Sequence, residues 1–218
     1  MNLPGALSFV IDFIIELSLY MAAPSPKQYQ ERIELFSKVN ELAASFNNAN
    51  QAMPKMTAID FRDDDIYRFF ENLQSCDVKY LLVGGFAMAF HGYVRATHDL
   101  DLWIKDEPKN LEKLKQVFQQ SGVSGIEKVK SLQLVAGFTE FKVGESGFVV
   151  DPMTNLKAFN AFDFDQCFER AKPGEFKGIK FKVIHALDLL KEKEATNRPK
   201  DQGDIEHLRK LKQKGESE

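Results

Sequence analysis

Apolar positions along the chain recur in two rhythms, one of helices and one of strands. From Gln28 to about Phe46, the stretch QYQERIELFSKVNELAASF sets Ile33, Phe36, Val39, Leu42 and Phe46 at helical spacing. NNANQAMPKM, residues 47–56, reads as a loop. IYRFFENL, residues 66–73, fits a short helix with Asp63 to Asp65 at its N-terminal end, where carboxylates suit the dipole. VKYLLVGG, from Val78, is a buried strand running into a Gly-Gly turn, and FAMAFHGY predicts a helix starting just after Gly85. DLDLWI, residues 99–104, alternates acid with apolar, so Asp99 and Asp101 share one strand face. Asp106 and Pro108 open a helix over EPKNLEKLKQVFQQ. LQLVAGFTEFKV and GFVVDPMT predict two strands joined by the turn GESG, residues 144–147. FDFDQCFERA, residues 162–171, reads as helix, GIKFKVI as a strand with Lys180 and Lys182 outward, and two helices close the chain around a break at Asn197 to Pro199. Strands interleaved with helices indicate an α/β (α+β) fold. The expected division is a helical extension over 1–77, a core over 78–184 and packing helices over 185–218.

Residues 6–21, ALSFVIDFIIELSLYM, are apolar enough to raise the question of a signal or membrane segment. Asp12 and Glu16 interrupt them, and no Lys or Arg precedes Lys27. The positive start of a secretory signal is therefore missing, and a spanning helix wants ~18 or more apolar residues. Two expectations remain: an amphipathic helix that docks on the body, or an upstream start, with Met21 opening the functional chain. Neither gives stable membrane insertion.

Composition changes this picture little. Hydrophobic residues at 44% and charged residues at 28% describe a soluble globular chain, and 19 phenylalanines supply a substantial core. A net charge of −3 gives no reason to expect broad polyanion binding. Cys76 and Cys167 lie far apart and fit two reduced, mostly buried thiols in a cytoplasmic protein. His91, His98, His185 and His207 have no metal-ligand spacing, so zinc is not expected.

Candidate chemistry gathers in residues 81–104, LLVGGFAMAFHGYVRATHDLDLWI. Glycines between strand and helix let a phosphate approach the backbone. The spacing is neither that of a Rossmann turn nor that of a P-loop. Carboxylates at i and i+2 of a strand repel unless a cation lies between them, and Mg²⁺ typically takes one or two carboxylates plus substrate phosphates. Asp151, at the end of an apolar strand and before Pro152, is the best third acid. Glu140 and Glu145 are its rivals, and Glu145 lies in the turn.

Gly84–Gly85, a thirteen-residue spacer and Asp-x-Asp on strand–helix–strand resemble the nucleotidyltransferase superfamily of the DNA polymerase beta-like fold. Within it, Arg95, Thr97, Asp99 and Asp101 in RATHDLDL resemble the Arg-x-Thr-x-Asp-x-Asp element of small bacterial proteins related to the AbiEii toxins. HALDLLKEKEATNRPKDQGDIEHL is similar to their tail. The likeness runs from about Val78 to Leu208. It implies a mixed sheet flanked by helices and transfer of a nucleoside monophosphate from an NTP, ATP among them, to an acceptor hydroxyl. It also implies two Mg²⁺ ions (or Mn²⁺) on Asp99, Asp101 and Asp151, with triphosphate contacts from Gly84, Gly85, Arg95, Thr97 and Lys193, and with Asp201 orienting Lys193. An RNA or tRNA end as acceptor and an antitoxin protein as partner follow from the toxin-like branch. A small-molecule acceptor and a non-catalytic binding relative are the alternatives. No Ser follows the glycines; Phe86 and Ala87 stand there, so backbone amides carry more of the phosphate contact. Lys172, Lys177, Lys180 and Lys182 are the candidate basic face for a nucleic-acid acceptor.

Overall fold

A computed structural model describes residues 26–134 and 139–215. The expectations for residues 6–21 lie outside the described residues, as does the middle of the strand predicted over LQLVAGFTEFKV. Helix α1 (Pro26–Ala49) is followed by α2 (Asp64–Ser75), β1 (Tyr80–Leu82), α3 (Gly84–Phe90), β2 (Asp99–Ile104) and α4 (Pro108–Gln120). Then come β3 (Phe141–Val143), β4 (Phe148–Met153), α5 (Phe164–Arg170), β5 (Lys172–Phe176), β6 (Ile179–Val183), α6 (Ala186–Thr196) and α7 (Gln202–Gly215). The six strands form one mixed sheet in the order β3-β4-β2-β1-β6-β5. β2 runs parallel to β4 and β1 parallel to β6, while β1–β2, β3–β4 and β5–β6 are antiparallel. Among the described residues, no helix is long and apolar enough to cross a membrane.

One apolar core runs from Tyr29 on α1 to Leu208 on α7. The phenylalanines build it in facing pairs. Phe86 of α3 meets Phe36 of α1 and Phe181 of β6, and Phe69 of α2 meets Phe118 of α4 and Phe148 of β4. On the other face of the sheet, Trp103 is covered by Phe159 and Phe164, and its indole N–H donates to the Thr154 carbonyl at 3.0 Å. Because side chains alternate along β2, Asp99 and Asp101 share the Trp103 face, while Leu100 and Leu102 turn toward Phe148 and α2.

Three expectations need correction. The inward stripe of α1 is not Val39, Leu42 and Phe46: Leu42 and Phe46 are exposed, and the buried side is Tyr29, Ile33, Phe36, Ser37, Asn40 and Ala44. The helical period is right, but the face turns toward two polar residues that find buried partners. Ser37 Oγ accepts from the Phe61 N–H, and Asn40 accepts from Thr97. Strand β5 has no sequence signal, because Pro173 and Gly174 look like a break; as an edge strand it tolerates both. Pro152 does not end β4, which pairs with β2 through Met153↔Trp103. β3 pairs only as far as Val150, so no neighbour on that side requires an N–H from Pro152.

Candidate active site

The parallel pairing of β2 with β4 puts Asp101 directly beside Asp151. Asp99 lies one pleat back on the same face. Carboxylate oxygens from all three fall within 4.8 Å of one another. Burial and the charges of Asp99 and Asp151 push Asp101 up to about 7, while the Lys193 ammonium and the Gly85 N–H pull it back.

The glycines play different parts. Gly84 has φ +56 and lines the cavity in front of the acids; a Cβ there would lie 1.7 Å from Asp101 Oδ2. Its missing side chain is the space that the Asp101 carboxylate uses. Gly85 backs onto Thr97 instead, with a Cβ at 2.8 Å from the Thr97 side chain, and its N–H points to Asp101 Oδ2 at 3.4 Å. Thr97 is buried and bridges outward: its hydroxyl donates to Asp99 Oδ1 at 2.8 Å, and its backbone N–H donates to Asn40 Oδ1 at 2.8 Å. Helix α1 thus reaches the acids through Thr97.

The cations stand behind them. Lys193 is 3% exposed, with Asp201 at 2.9 Å and Asp204 at 3.0 Å from its ammonium. Arg95 grips Asp204 through two bonds of 2.9 Å, and Arg198 contacts Asp201 at 2.6 Å. Burial alone would raise Asp204 and Asp201, yet the bonds to Arg95, Lys193 and Arg198 hold both below the usual carboxylate range. The same pairing raises Arg95 and Arg198, so these cations keep their charge close to Asp101. Arg198 is half exposed and lines the cavity of about 460 Å³ together with Asp101, Asp151, Gly84 and Lys193. Met153, Asn155, Leu156 and Leu189 line that cavity as well. Glu192, also on its wall, accepts the N–H groups of Lys157 and Ala158 and so ties the segment after β4 to α6.

Asp99, Asp101, Asp151, Gly84, Gly85, Thr97, Arg95, Lys193 and Asp201 therefore meet in one region. Asn40 and Asp204 escaped the sequence reading as members of it. Asp204 followed Asp201 in the quoted tail, but Asn40 carries no sequence signal. Arg198 was part of that tail, and only the fold turns it to the cavity.

The lysine face does not assemble. Lys172 is buried and lowered to about 8 by burial, since alternation in β5 turns it inward opposite Val183. Lys182 lies over the Phe168 ring and donates to the Phe168 carbonyl. None of the four lines the cavity of the acids. The histidines serve the scaffold: His91 Nε2 pairs with the Ile184 carbonyl, His185 caps α6, and His207 meets the His91 carbonyl. His98 is exposed beside Met56. Cys76 and Cys167 are free thiols, the first half-buried and the second buried.

No curated protein matches this chain. Among solved structures, it is similar to a Thermotoga maritima protein assigned provisionally to the nucleotidyltransferases, with a TM-score of 0.42 and 18% identity over 67% of this chain and 89% of that one. Residues 62–218 match the model of the protein family described as "Nucleotidyl transferase of unknown function". The match takes in the acids, the glycine turn and the cation network, and the chain belongs to this family of nucleotidyl transferases.

Proposed function

We propose that the protein moves a nucleoside monophosphate from a nucleoside triphosphate to an acceptor hydroxyl in a divalent-metal-dependent reaction. One observation carries this reading: three carboxylates on adjoining parallel strands lie within 4.8 Å, in front of a glycine whose missing side chain makes room for one of them. Like charges this close are unfavourable without a cation, and a donor set made only of oxygen suits Mg²⁺ or Mn²⁺. Asp99, Asp101 and Asp151 would hold the ions, a pair of them at full occupancy. Bound metal would lower the pKa of the acceptor hydroxyl and neutralise charge on the departing pyrophosphate.

The remaining roles belong to the chain itself. Thr97 fixes the Asp99 carboxylate through its hydroxyl. Asp151, on the cavity wall, takes the acceptor proton. Arg198 reaches the triphosphate from the open side, and the Gly84 turn meets it with backbone. Lys193 and Arg95 supply fixed positive charge from behind, Lys193 oriented by Asp201. ATP is the donor first to be tried. The acceptor we propose is an RNA end, tRNA foremost, in a cytoplasmic toxin–antitoxin setting. Its support is the resemblance of Arg95, Thr97, Asp99 and Asp101 to the toxin-like element, because the lysines add none.

The test incubates the protein with each labelled nucleoside triphosphate, Mg²⁺ and total tRNA. Label enters RNA with wild type and not with Asp101→Asn, whose fold is intact by circular dichroism. Full transfer by Asp101→Asn sinks the site assignment. Label in a small molecule moves the acceptor to that class, and label in neither leaves a nucleotide-binding relative.

A further inference from the structure

Asp99 opens β2, and residues 91–98 before it lie in no helix or strand. Side chains from two helices fix this segment instead. Asp204 of α7 holds Arg95, and Asn40 of α1 holds Thr97. Thr97 is 7% exposed, so its N–H needs an acceptor inside the protein. Asn40 Oδ1 is that acceptor, at 2.8 Å. Asn40 is itself fully buried, and its Nδ2 donates to the Phe36 carbonyl at 2.9 Å. Chemistry orients this amide: only its oxygen can serve an N–H, and only its nitrogen a carbonyl. An ionised aspartate would set charge against the Phe36 carbonyl, and an aliphatic side chain would leave the Thr97 N–H unpaired.

Gly85 holds Thr97 on a second side, where a Cβ would lie 2.8 Å from the Thr97 side chain. With backbone and side chain both fixed, the Thr97 hydroxyl donates to Asp99 Oδ1 at 2.8 Å. That bond engages one oxygen of Asp99 and sets the direction of the other. Asn40 stands outside the residues 62–218 that match the family. We propose that Asn40 is a positioning residue of the active site: through Thr97 it sets the orientation of the Asp99 carboxylate, and with it the affinity of the three acids for divalent metal. This rests on the reading of Asp99, Asp101 and Asp151 as the metal site. Groups that orient metal ligands typically contribute about 10–100-fold in metal affinity or activity. Asn40 acts one bond further out, so the low end, about tenfold, is expected.

Calorimetric titration of the full-length protein with Mn²⁺ tests this on wild type, Asn40→Leu, Ser37→Ala and Asp101→Asn. Ser37 is the control for α1: it too is fully buried, but its hydroxyl accepts from the Phe61 N–H. Both α1 variants should melt earlier, and only Asn40→Leu should weaken Mn²⁺ binding, by about tenfold. Asn40→Ser, a smaller change that leaves room for water beside Thr97, should shift affinity the same way and serves where Asn40→Leu does not fold. In a Thr97→Val background, Asn40→Leu should add little further loss, because the route to Asp99 is already cut. A loss that persists in full on Thr97→Val overturns the proposal. So do equal affinities of Asn40→Leu and Ser37→Ala, and in that case the metal site itself stands. Equal binding by wild type and Asp101→Asn removes the metal site, and the proposal falls with it.

Discussion

Gly84→Ala separates the strain of a left-handed backbone from the loss of a functional space. Gly84 has φ +56, and a Cβ there would lie 1.7 Å from Asp101 Oδ2. Cβ contacts essentially never fall under 3.0 Å, so the carboxylate or the turn must give by about 1.3 Å. A misplacement of about 1 Å costs ~100-fold in rate, or ~2.7 kcal/mol of barrier. The backbone contributes separately: a left-handed residue with a Cβ costs ~1–2 kcal/mol, which lowers the melting temperature of a chain this size by ~2–8 °C. Gly125→Ala is the control, because Gly125 has φ +80 and nothing within 4 Å of its Cβ position. Both variants should therefore melt earlier by the backbone cost, and Gly84→Ala by more, because it alone must also displace the Asp101 side chain or the turn. Only Gly84→Ala should lose activity, by ~100-fold or more in pyrophosphate release from the preferred triphosphate. If the two variants keep comparable rates, the space beside Gly84 is not what positions Asp101, and the reading of the turn is wrong.

Three further outcomes are expected. Lys193→Met takes the ammonium from Asp201 and Asp204, both fully buried, and leaves Asp201 with Arg198 and the Thr196 hydroxyl and Asp204 with Arg95. The cost should be near the low end for a broken buried pair, ~3 kcal/mol, seen as a melting temperature ~6–12 °C lower; a shift within about 2 °C would contradict the network. In chelator, Asp101→Asn should melt no lower than wild type, since it removes a repelled charge. Mg²⁺ at 100 times its dissociation constant should stabilise wild type by ~2.7 kcal/mol and leave the variant unmoved, and an equal rise in both would place the metal elsewhere. Burial, the largest cause for each, lowers His91 to about 3 and His185 to about 4. Both therefore bind protons more readily unfolded, their stabilising contribution is complete above pH ~6.5, and it is lost as the pH falls toward 4. The expected slope in urea melts is ~1.4 kcal/mol per pH unit for each histidine; a flat profile between pH 6.5 and 4.5 refutes their burial as neutral rings.

The acids were legible because their chemistry follows strand arithmetic. Asp99 and Asp101 share a face by the period of two, and Asp151 stood out as an acid closing an apolar strand. What the sequence did not carry is register. That Asp101 and not Asp99 faces Asp151 depends on which residues of β2 and β4 pair, and no local pattern fixes a parallel register between strands 50 residues apart. Strand β5 was hidden because Pro173 and Gly174 are breakers by local rules and acceptable only at an edge, a position that the whole sheet decides. Asn40 is the instructive omission. On α1 it reads as one polar residue among many, and the periodic apolar stripe drew attention to Leu42 and Phe46, which are exposed. In the fold it is fully buried, accepts from the Thr97 N–H and donates to the Phe36 carbonyl. Since Thr97 in turn holds Asp99, an N-terminal helix that begins outside the family match takes part in placing a carboxylate inside it. A buried amide satisfied on both sides tolerates little displacement, because either broken bond leaves a buried polar group unpaired. Through Asn40 and Thr97, the helix over residues 26–49 therefore shares in setting where Asp99 points, while the pairing of β2 with β4 places Asp101 and Asp151.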